Sequence, residues 1–129
     1  MGFNSVDPAA FVWETRPHTD GEPARHVAEL SEVLETTHLR ANIWRYEPGA
    51  AGRRHVHAEQ EEMFLVVSGT LTMYLGEPPE RIDVPARGVV RVAGGTPLQA
   101  ANHGADDLVV FATGYPGDEG ATLLDSAVA

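Results

Sequence analysis

The sequence predicts an all-β fold, a sandwich or barrel of short strands, on three observations. Seven or eight apolar runs of strand length are separated by turn signals at intervals of about 8–12 residues. Thirteen glycines and nine prolines are many for 129 residues, and they favour turn-rich β structure over long helices. Apolar residues make up 43% of the chain, which at this length predicts one domain with one core.

Residues 1–38 predict an N-terminal arm that packs on the barrel. Proline and glycine interrupt it repeatedly, and the Phe-Val-Trp sequence at residues 11–13 is its one apolar anchor. Residues 24–34 are open to two interpretations. Val27, Leu30 and Leu34 have helical spacing, but a short strand followed by a turn fits as well.

Residues 39–116 predict the barrel itself. Every second residue from 39 to 43 is aliphatic, which is the period of a strand. The runs EMFLVV and TLTMYL flank a Ser-Gly turn and predict a hairpin, and further strands are expected at RIDV, VVRVA, LQAAN and LVVFATGY. Residues 117–129 contain one apolar pair, Leu123 and Leu124, and predict a loosely held C-terminal extension.

Charge and composition exclude several classes of function. The net charge of −10 disfavours binding to nucleic acid or to an anionic membrane, because both require basic patches. All nine basic residues are Arg, so Schiff-base chemistry on lysine is excluded, and the lack of Cys excludes thiolate catalysis. The sequence contains no secretory signal pattern and no apolar stretch of about 20 residues, so we expect a soluble cytoplasmic protein.

Two histidines one residue apart predict a metal site. On a strand, His55 and His57 point to the same face, and a carboxylate from the next strand can complete a three-ligand set. Two imidazoles and one carboxylate suit a divalent transition metal such as Fe, Mn, Ni or Zn. A solvated loop that happens to carry two histidines is the alternative.

The residues around this pair resemble the first motif of the cupin superfamily. That motif has a glycine, five residues, H-x-H, three or four residues, Glu, six residues and a second glycine. This chain supplies Gly49, His55, His57, Glu62 and Gly69 at those positions. The spacing to Gly69 selects Glu62 as the third ligand and leaves Glu61 as the fallback.

The second cupin motif is incomplete. Gly95 and Asn102 fit it, but Leu98 stands where the family has a histidine that provides the fourth protein ligand. His103 lies an odd number of residues further on, so on a regular strand it would point to the opposite face; we interpret it as a surface residue, although a bulge could redirect it. We interpret His18, His26 and His38 as arm or surface residues.

The resemblance covers residues 39–115 and is closest to small single-domain cupins. It implies a double-stranded β-helix (jelly roll) with an internal cavity for a small molecule, commonly in a homodimer. The expected function is that of a metal-binding cupin, such as an oxygenase or isomerase acting on a small polar molecule. The alternatives are a non-catalytic sensing domain and a structural cupin with a degenerate site.

Several side chains are candidates to contact a ligand in such a cavity. Arg53 and Arg54 could clamp a carboxylate, although an exposed turn is equally compatible with the sequence. Leu98 is expected to make one wall of the cavity apolar. The predicted pocket residues are Trp44, Tyr46, Phe64, Tyr74 and Leu98, with core packing as the alternative for the aromatic ones.

Overall fold

The computed structural model describes residues 2–128 and has two antiparallel sheets that face each other. The predicted all-β class is confirmed. The elements are a 3₁₀ helix (Pro8–Ala10), α1 (Leu30–Leu34) and the strands β1 (Trp13–Thr15), β2 (Arg25–Glu29), β3 (Arg40–Tyr46), β4 (His55–Val56), β5 (Glu61–Ser68), β6 (Leu71–Leu75), β7 (Glu80–Val84), β8 (Val89–Val92), β9 (Leu98–Ala101), β10 (Leu108–Tyr115) and β11 (Thr122–Leu123).

The two sheets are built from strands that are distant in sequence. Strands β1-β2-β3-β10-β5-β8 form one sheet in that order, and β11-β4-β9-β6-β7 form the other. Side chains from both inner faces meet in one core, because alternate residues of each strand point inward. Neither helix in the described residues is long and apolar enough to cross a bilayer.

The N-terminal residues contribute two strands to the larger sheet. Each of the two interpretations left open for residues 24–34 holds for one part of the segment: residues 25–29 form β2, which pairs along its whole length with β3. Leu30–Leu34 then forms a short helix that ends at Glu35 in the left-handed conformation, with φ of 52°. The barrel wall therefore begins at β1 and β2, before residue 39.

The predicted hairpin of β5 and β6 is wrong. β5 pairs with β10 and β8, whereas β6 pairs with β7 and β9, so the chain crosses from one sheet to the other between residues 68 and 71. Both strands carry buried apolar side chains, which can be covered when the strands face each other from opposite sheets. Gly69 allows this crossing: its φ is +81°, and a Cβ there would lie 2.8 Å from the carbonyl oxygen of Asp107.

Asn102 organises the loop that follows β9. Its side chain is buried, and its Nδ2 donates to the carbonyl oxygens of Tyr46 and Asp106, both at 2.9 Å. Its Oδ1 accepts from the backbone N–H of Gly104 at 2.9 Å. The asparagine of the second motif therefore has a structural role, because it satisfies backbone groups that would otherwise be unpaired.

The C-terminal segment is held firmly, contrary to the expected loose extension. Its strand β11 pairs with β4, which carries His55. Beyond it, the backbone N–H of Leu124 donates to the Arg54 carbonyl oxygen at 2.9 Å, and that of Ala127 donates to Gln99 Oε1 at 2.8 Å. The apolar pair Leu123 and Leu124 did not predict this attachment, because backbone hydrogen bonds hold the segment in place.

Candidate metal centre and ligand cavity

The side chains of His55, His57 and Glu62 converge on one point at the inner face of the two sheets. Their ligand atoms all lie within 4.8 Å of one another, and no other such group of three occurs in residues 2–128. His55 belongs to β4, His57 follows it, and Glu62 comes from β5 of the facing sheet. The two imidazole rings meet edge to face with centroids 5.1 Å apart.

The hydrogen bonds of the triad leave lone pairs free for an ion. Nδ1 of His55 lies 2.9 Å from the carbonyl oxygen of Arg53, which can only accept, so Nδ1 is the protonated nitrogen and Nε2 keeps its lone pair. Oε1 of Glu62, the carboxylate oxygen that faces His57, is buried without a hydrogen-bond partner. Such an orphaned polar atom is rare in a folded protein unless another group completes it.

The separation between His57 and Glu62 fits a shared ion. Nε2 of His57 lies 3.5 Å from Oε1 of Glu62. Two donor atoms that each bind one ion at about 2.1 Å with a tetrahedral angle are roughly 3.4 Å apart. The pair is thus spaced as two ligands of one ion would be.

Burial shifts the pKa values of both groups toward their neutral forms. It raises the pKa of the Glu62 carboxyl to about 7, and the positive charge of Arg40 partly offsets this increase. It also lowers the pKa of His57, and the charge of His55 lowers it further. A cation at this point would compensate the buried carboxylate and would displace the proton that Glu62 otherwise carries near neutral pH.

A cavity of about 290 Å³ opens beside the triad, between the two sheets. Of the predicted pocket residues, Trp44, Tyr46, Phe64 and Leu98 line it. A larger groove of about 540 Å³ runs along residues 36–40 and 115–118, but it is more open to solvent and does not include the triad. The chemistry of the donor set therefore identifies the smaller cavity as the candidate site.

Leu98 stands directly opposite His55 in the β4–β9 pair. Its side chain is 3% exposed and forms part of the cavity wall. An aliphatic side chain thus occupies the cavity beside the triad at the position where the second motif places an imidazole. Among the described residues, three protein side chains and no fourth make up the cluster.

Tyr74 does not line the cavity, so that assignment is wrong. Along β6, the core residues Leu71 and Met73 alternate with Tyr74, which therefore points to the other face of its sheet. The Tyr74 hydroxyl lies 2.9 Å from Nε2 of His103, which is exposed. His103 is accordingly engaged on the outer surface and is not part of the triad.

The remaining histidines lie away from the triad. His18 and His38 are exposed, in agreement with the sequence interpretation. His26 is more enclosed than expected for an arm residue, because it lies in β2, where Nε2 is 2.8 Å from Glu47 Oε2 and Nδ1 is 2.9 Å from the Thr15 hydroxyl. Its two ring nitrogens are both engaged there.

The two arginines that precede the histidine pair have different environments. Arg54 is buried, and its guanidinium donates to Glu77 Oε2 at 2.8 Å and to the Gly76 carbonyl oxygen at 3.2 Å. It therefore anchors a turn and is not available to a ligand. Arg53 is exposed at the rim of the cavity.

Sequence reasoning missed three further arginines on the cavity wall. Arg16 lines the cavity from the loop after β1, Arg25 from β2 and Arg40 from β3. Arg40 shares a strand face with Trp44 and Tyr46, so the alternation of β3 could have indicated it. The sequence offered no such signal for Arg25, because residues 24–34 had no assigned secondary structure.

Glu119 is also close to the triad. Its Oε1 accepts the backbone N–H of Glu59 at 2.7 Å, while its Oε2 is buried without a partner. Its negative charge raises the pKa of His57, against the larger effect of burial. No sequence motif pointed to this residue.

Comparison with known proteins agrees with this architecture. Residues 42–114 match the family model of the cupin domain, and the predicted double-stranded β-helix is confirmed. A Klebsiella pneumoniae structure, an uncharacterized conserved protein with a double-stranded beta-helix domain, is 27% identical over 86% of this chain and 90% of its own, with a TM-score of 0.69. No protein of curated function shows significant similarity to this sequence.

Two more distant structures share the fold. A sugar phosphate isomerase of the cupin superfamily from Silicibacter pomeroyi is 20% identical, with a TM-score of 0.77, over 95% of this chain and 83% of its own. Bacillus subtilis oxalate decarboxylase, a protein with Mn(II) centres, is 18% identical, with a TM-score of 0.68, over 84% of this chain and 30% of its own. At these identities the likeness concerns the fold alone.

Proposed function

Because this chain belongs to the cupin family, we propose that it is a metal-dependent cupin that binds one divalent transition metal ion through His55, His57 and Glu62. The ion is Fe, Mn, Ni or Zn, and the reaction is an oxygenation or isomerisation of a small polar molecule in the adjoining cavity. The observation that carries the proposal is the convergence of three ligand atoms within 4.8 Å, together with a buried oxygen of Glu62 that has no hydrogen-bond partner.

The donor set supports a transition metal. Two imidazoles and one carboxylate, with positions left over for water and substrate, suit this class of ion. Glu61 is not a competing ligand, because it points to the outer face of β5 and forms an ion pair with Arg91. The Mn(II) centres of the oxalate decarboxylase show that this fold hosts such an ion in another protein.

Each surrounding residue has a distinct role in this proposal. When bound, the ion would supply Lewis-acid activation of an oxygen atom of the substrate. The Arg53 carbonyl fixes the tautomer of His55, and Glu62 supplies the negative charge that balances the ion. Leu98 keeps an apolar surface beside the triad, and Leu123 of β11 covers another side of the cavity.

A non-catalytic role in binding a small molecule is the second candidate. Leu98 favours it, because it stands where the family motif has a fourth ligand, and a site with fewer protein ligands holds its ion less tightly. A purely structural role is less compatible with the buried polar atoms left without partners, because they lower stability unless a ligand satisfies them.

Metal titration of the chelator-treated protein tests the proposal. Calorimetry with Mn(II), Fe(II), Ni(II) and Zn(II) should give one ion per chain for wild type and none for His55→Ala/His57→Ala. The control His103→Ala removes a histidine outside the triad and should leave binding unchanged. Stoichiometric binding that persists in the double variant would refute the ligand assignment.

We also propose that the protein is a homodimer that forms through the outer face of the larger sheet. On that face the strand register aligns Val89, Leu65, Phe111 and Ile43, and continues through Ala28 to Trp13. Val89 is 53% exposed, Leu65 40% and Trp13 39%, so this row, the outer apolar row, presents apolar side chains to solvent at its two ends, while Ala28 within it is buried. The row extends across all six strands, and a second copy offers a matching surface of the same kind.

A further inference from the structure

The arginines of this protein divide into two groups. Five form ion pairs with carboxylates within 4.0 Å, and they are Arg16, Arg45, Arg54, Arg81 and Arg91. Among the described residues, the other four, Arg25, Arg40, Arg53 and Arg87, have no carboxylate partner at that distance. In a chain with 19 acidic and 9 basic residues, unpaired arginines are unexpected.

Three of these four unpaired arginines line the same cavity. Arg25, Arg40 and Arg53 all contribute to its wall, whereas Arg87 lies in an exposed turn elsewhere. Glu62 is the one acidic residue among the lining residues, and it belongs to the triad. The cavity wall is therefore cationic inside a protein whose net charge is −10, and a metal ion would add to that positive charge.

Arg25 is held in place without an acidic partner. Its guanidinium carbon lies 5.4 Å from the Trp44 ring centroid and 5.9 Å from that of Tyr46. Such cation–π contacts orient the group, and a hydrogen bond with the Tyr46 hydroxyl engages one of its N–H donors, which leaves the other donors for a further acceptor. Arg40 is electrostatically coupled to the triad, because its charge favours the ionised form of Glu62.

The rest of the cavity wall is mainly apolar. Phe64, Leu71, Leu98 and Val110 contribute to it from both sheets. The side-chain amide of Asn42 is already engaged, because its nitrogen donates to Glu29 Oε2 at 2.6 Å and to the Ala41 carbonyl oxygen at 2.8 Å. A polyhydroxylated ligand would thus find few free partners for its hydroxyl groups.

From this distribution of charge we infer that the natural ligand is a small organic carboxylate. Its anionic group binds Arg25, the charge of Arg40 further along the same wall attracts it, and its apolar body packs on Phe64 and Leu98. Guanidinium groups match the two oxygens of a carboxylate, and a volume of about 290 Å³ accommodates only a small molecule. The inference rests on the proposed function in one respect, since the same cavity adjoins the proposed metal site.

The test compares hexanoate with hexanamide, which has nearly the same shape and no charge. Calorimetric titrations on the chelator-treated protein should give at least tenfold tighter binding of hexanoate. Arg25→Gln and Arg40→Gln should each weaken hexanoate binding at least tenfold, and the control Arg87→Gln should change it less than twofold. The ¹⁵Nε–Hε NMR signals of Arg25 and Arg40 in wild type should shift on addition of hexanoate, a readout that does not depend on the folding of a variant.

Three results would overturn the inference. The first is equal affinity for hexanoate and hexanamide, and the second is hexanoate binding that neither variant weakens. The third is glucose 6-phosphate binding more tightly than hexanoate with the same arginine dependence, which would assign the cavity to sugar phosphates.

A parallel Mn(II) titration separates this inference from the proposed function. One bound Mn(II) per chain with no preference for hexanoate would reject the carboxylate and leave the metal site standing. Arginine-dependent hexanoate binding with no uptake of Mn(II) by the same protein would reject the metal site and leave the carboxylate standing.

Discussion

Each of the two faces of β5 departs from the usual arrangement of a strand. Its inner face carries Glu62 together with Phe64 and Val66, so a carboxyl group is placed among buried side chains. Its outer face carries Met63, Leu65 and Val67, which are 48%, 40% and 49% exposed. In an ordinary half-buried strand the polar residues would face solvent and the apolar ones the core.

Each departure from that arrangement costs stability in the isolated chain and marks a surface that something else can cover. Inside, a carboxylate buried without a hydrogen-bond partner is satisfied by a cation. Outside, a row of exposed apolar side chains is satisfied by another apolar surface. The comparison teaches that one strand serves two proposed binding surfaces. The first three predictions below test its faces separately, and the fourth tests the cavity wall opposite His55.

The largest expected effect is on the inner face. Phe64→Ala should lower the free energy of unfolding by about 3–5 kcal/mol, because it removes a buried ring from the core shared by the two sheets. Its outer neighbour provides the matched control, since Leu65→Ala should cost the monomer less than about 0.5 kcal/mol. Urea unfolding of both variants at low protein concentration measures the difference. Equal losses at the two positions would contradict the assignment of the faces.

A pH-dependent effect is expected at Glu62 in the metal-free protein. Burial raises the folded-state pKa to about 7 from 4.5, so the folded protein binds a proton more tightly than the unfolded chain does. The resulting stability is fully present below pH 4.5 and is lost as the pH rises through 7, by an amount on the order of 3 kcal/mol. Glu62→Gln should remove this pH dependence.

The measurement is urea unfolding of wild type and Glu62→Gln at pH 5 and pH 8, with a chelator present. Wild type should lose stability relative to the variant as the pH rises, and a divalent metal ion should restore it at pH 8. A constant difference between the two proteins across this range would mean that Glu62 is not buried as described.

On the outer face, Leu65→Glu should weaken the proposed dimer at least a hundredfold. The substitution places a charge in the middle of the outer apolar row, where association would bury it. Light scattering across the micromolar range should give the dimer mass for wild type and the monomer mass of 13.9 kDa for the variant. A monomer mass for wild type at high micromolar concentration would refute the dimer proposal. Thr70→Glu, on the exposed turn after β5, is the control.

The smallest expected effect concerns Leu98. Leu98→His places an imidazole directly opposite His55, and metal affinity should rise about tenfold because the ion gains a fourth protein ligand. Calorimetric titration of wild type and variant with the same ion measures the change. An unchanged dissociation constant would indicate that the new side chain does not reach the proposed ion.

Sequence reasoning identified the triad because its signals are local. His55, His57 and Glu62 lie within eight positions of one another, and the spacing of a motif does not depend on how distant strands pair. The presence of the strands was also predictable, because apolar and polar residues alternate along a strand that buries one of its faces. The alternation in β6 would have placed Tyr74 outward had it been applied consistently.

Properties that depend on the pairing of distant strands could not be predicted in the same way. A Ser-Gly turn between two apolar runs is compatible with a hairpin and with a crossing between sheets, and only the packing of both sheets decides between them. Arg25 and Arg40 come from two strands that precede the first motif, and Arg53 lies within it. That these three arginines have no carboxylate partner within 4.0 Å is a property of the folded chain alone.

The position of β4 has a consequence for how the site is completed during biosynthesis. The two strands that flank it, β9 and β11, begin at residues 98 and 122, so both are synthesised well after His55 and His57. Until the ribosome has produced them, the two imidazoles sit on a segment without neighbours, and Glu62 lies on a strand whose partners β8 and β10 are also still to come. Assembly of the ligand set is therefore a late event, and the proposed metal ion would find the completed site only after residue 123 has been translated.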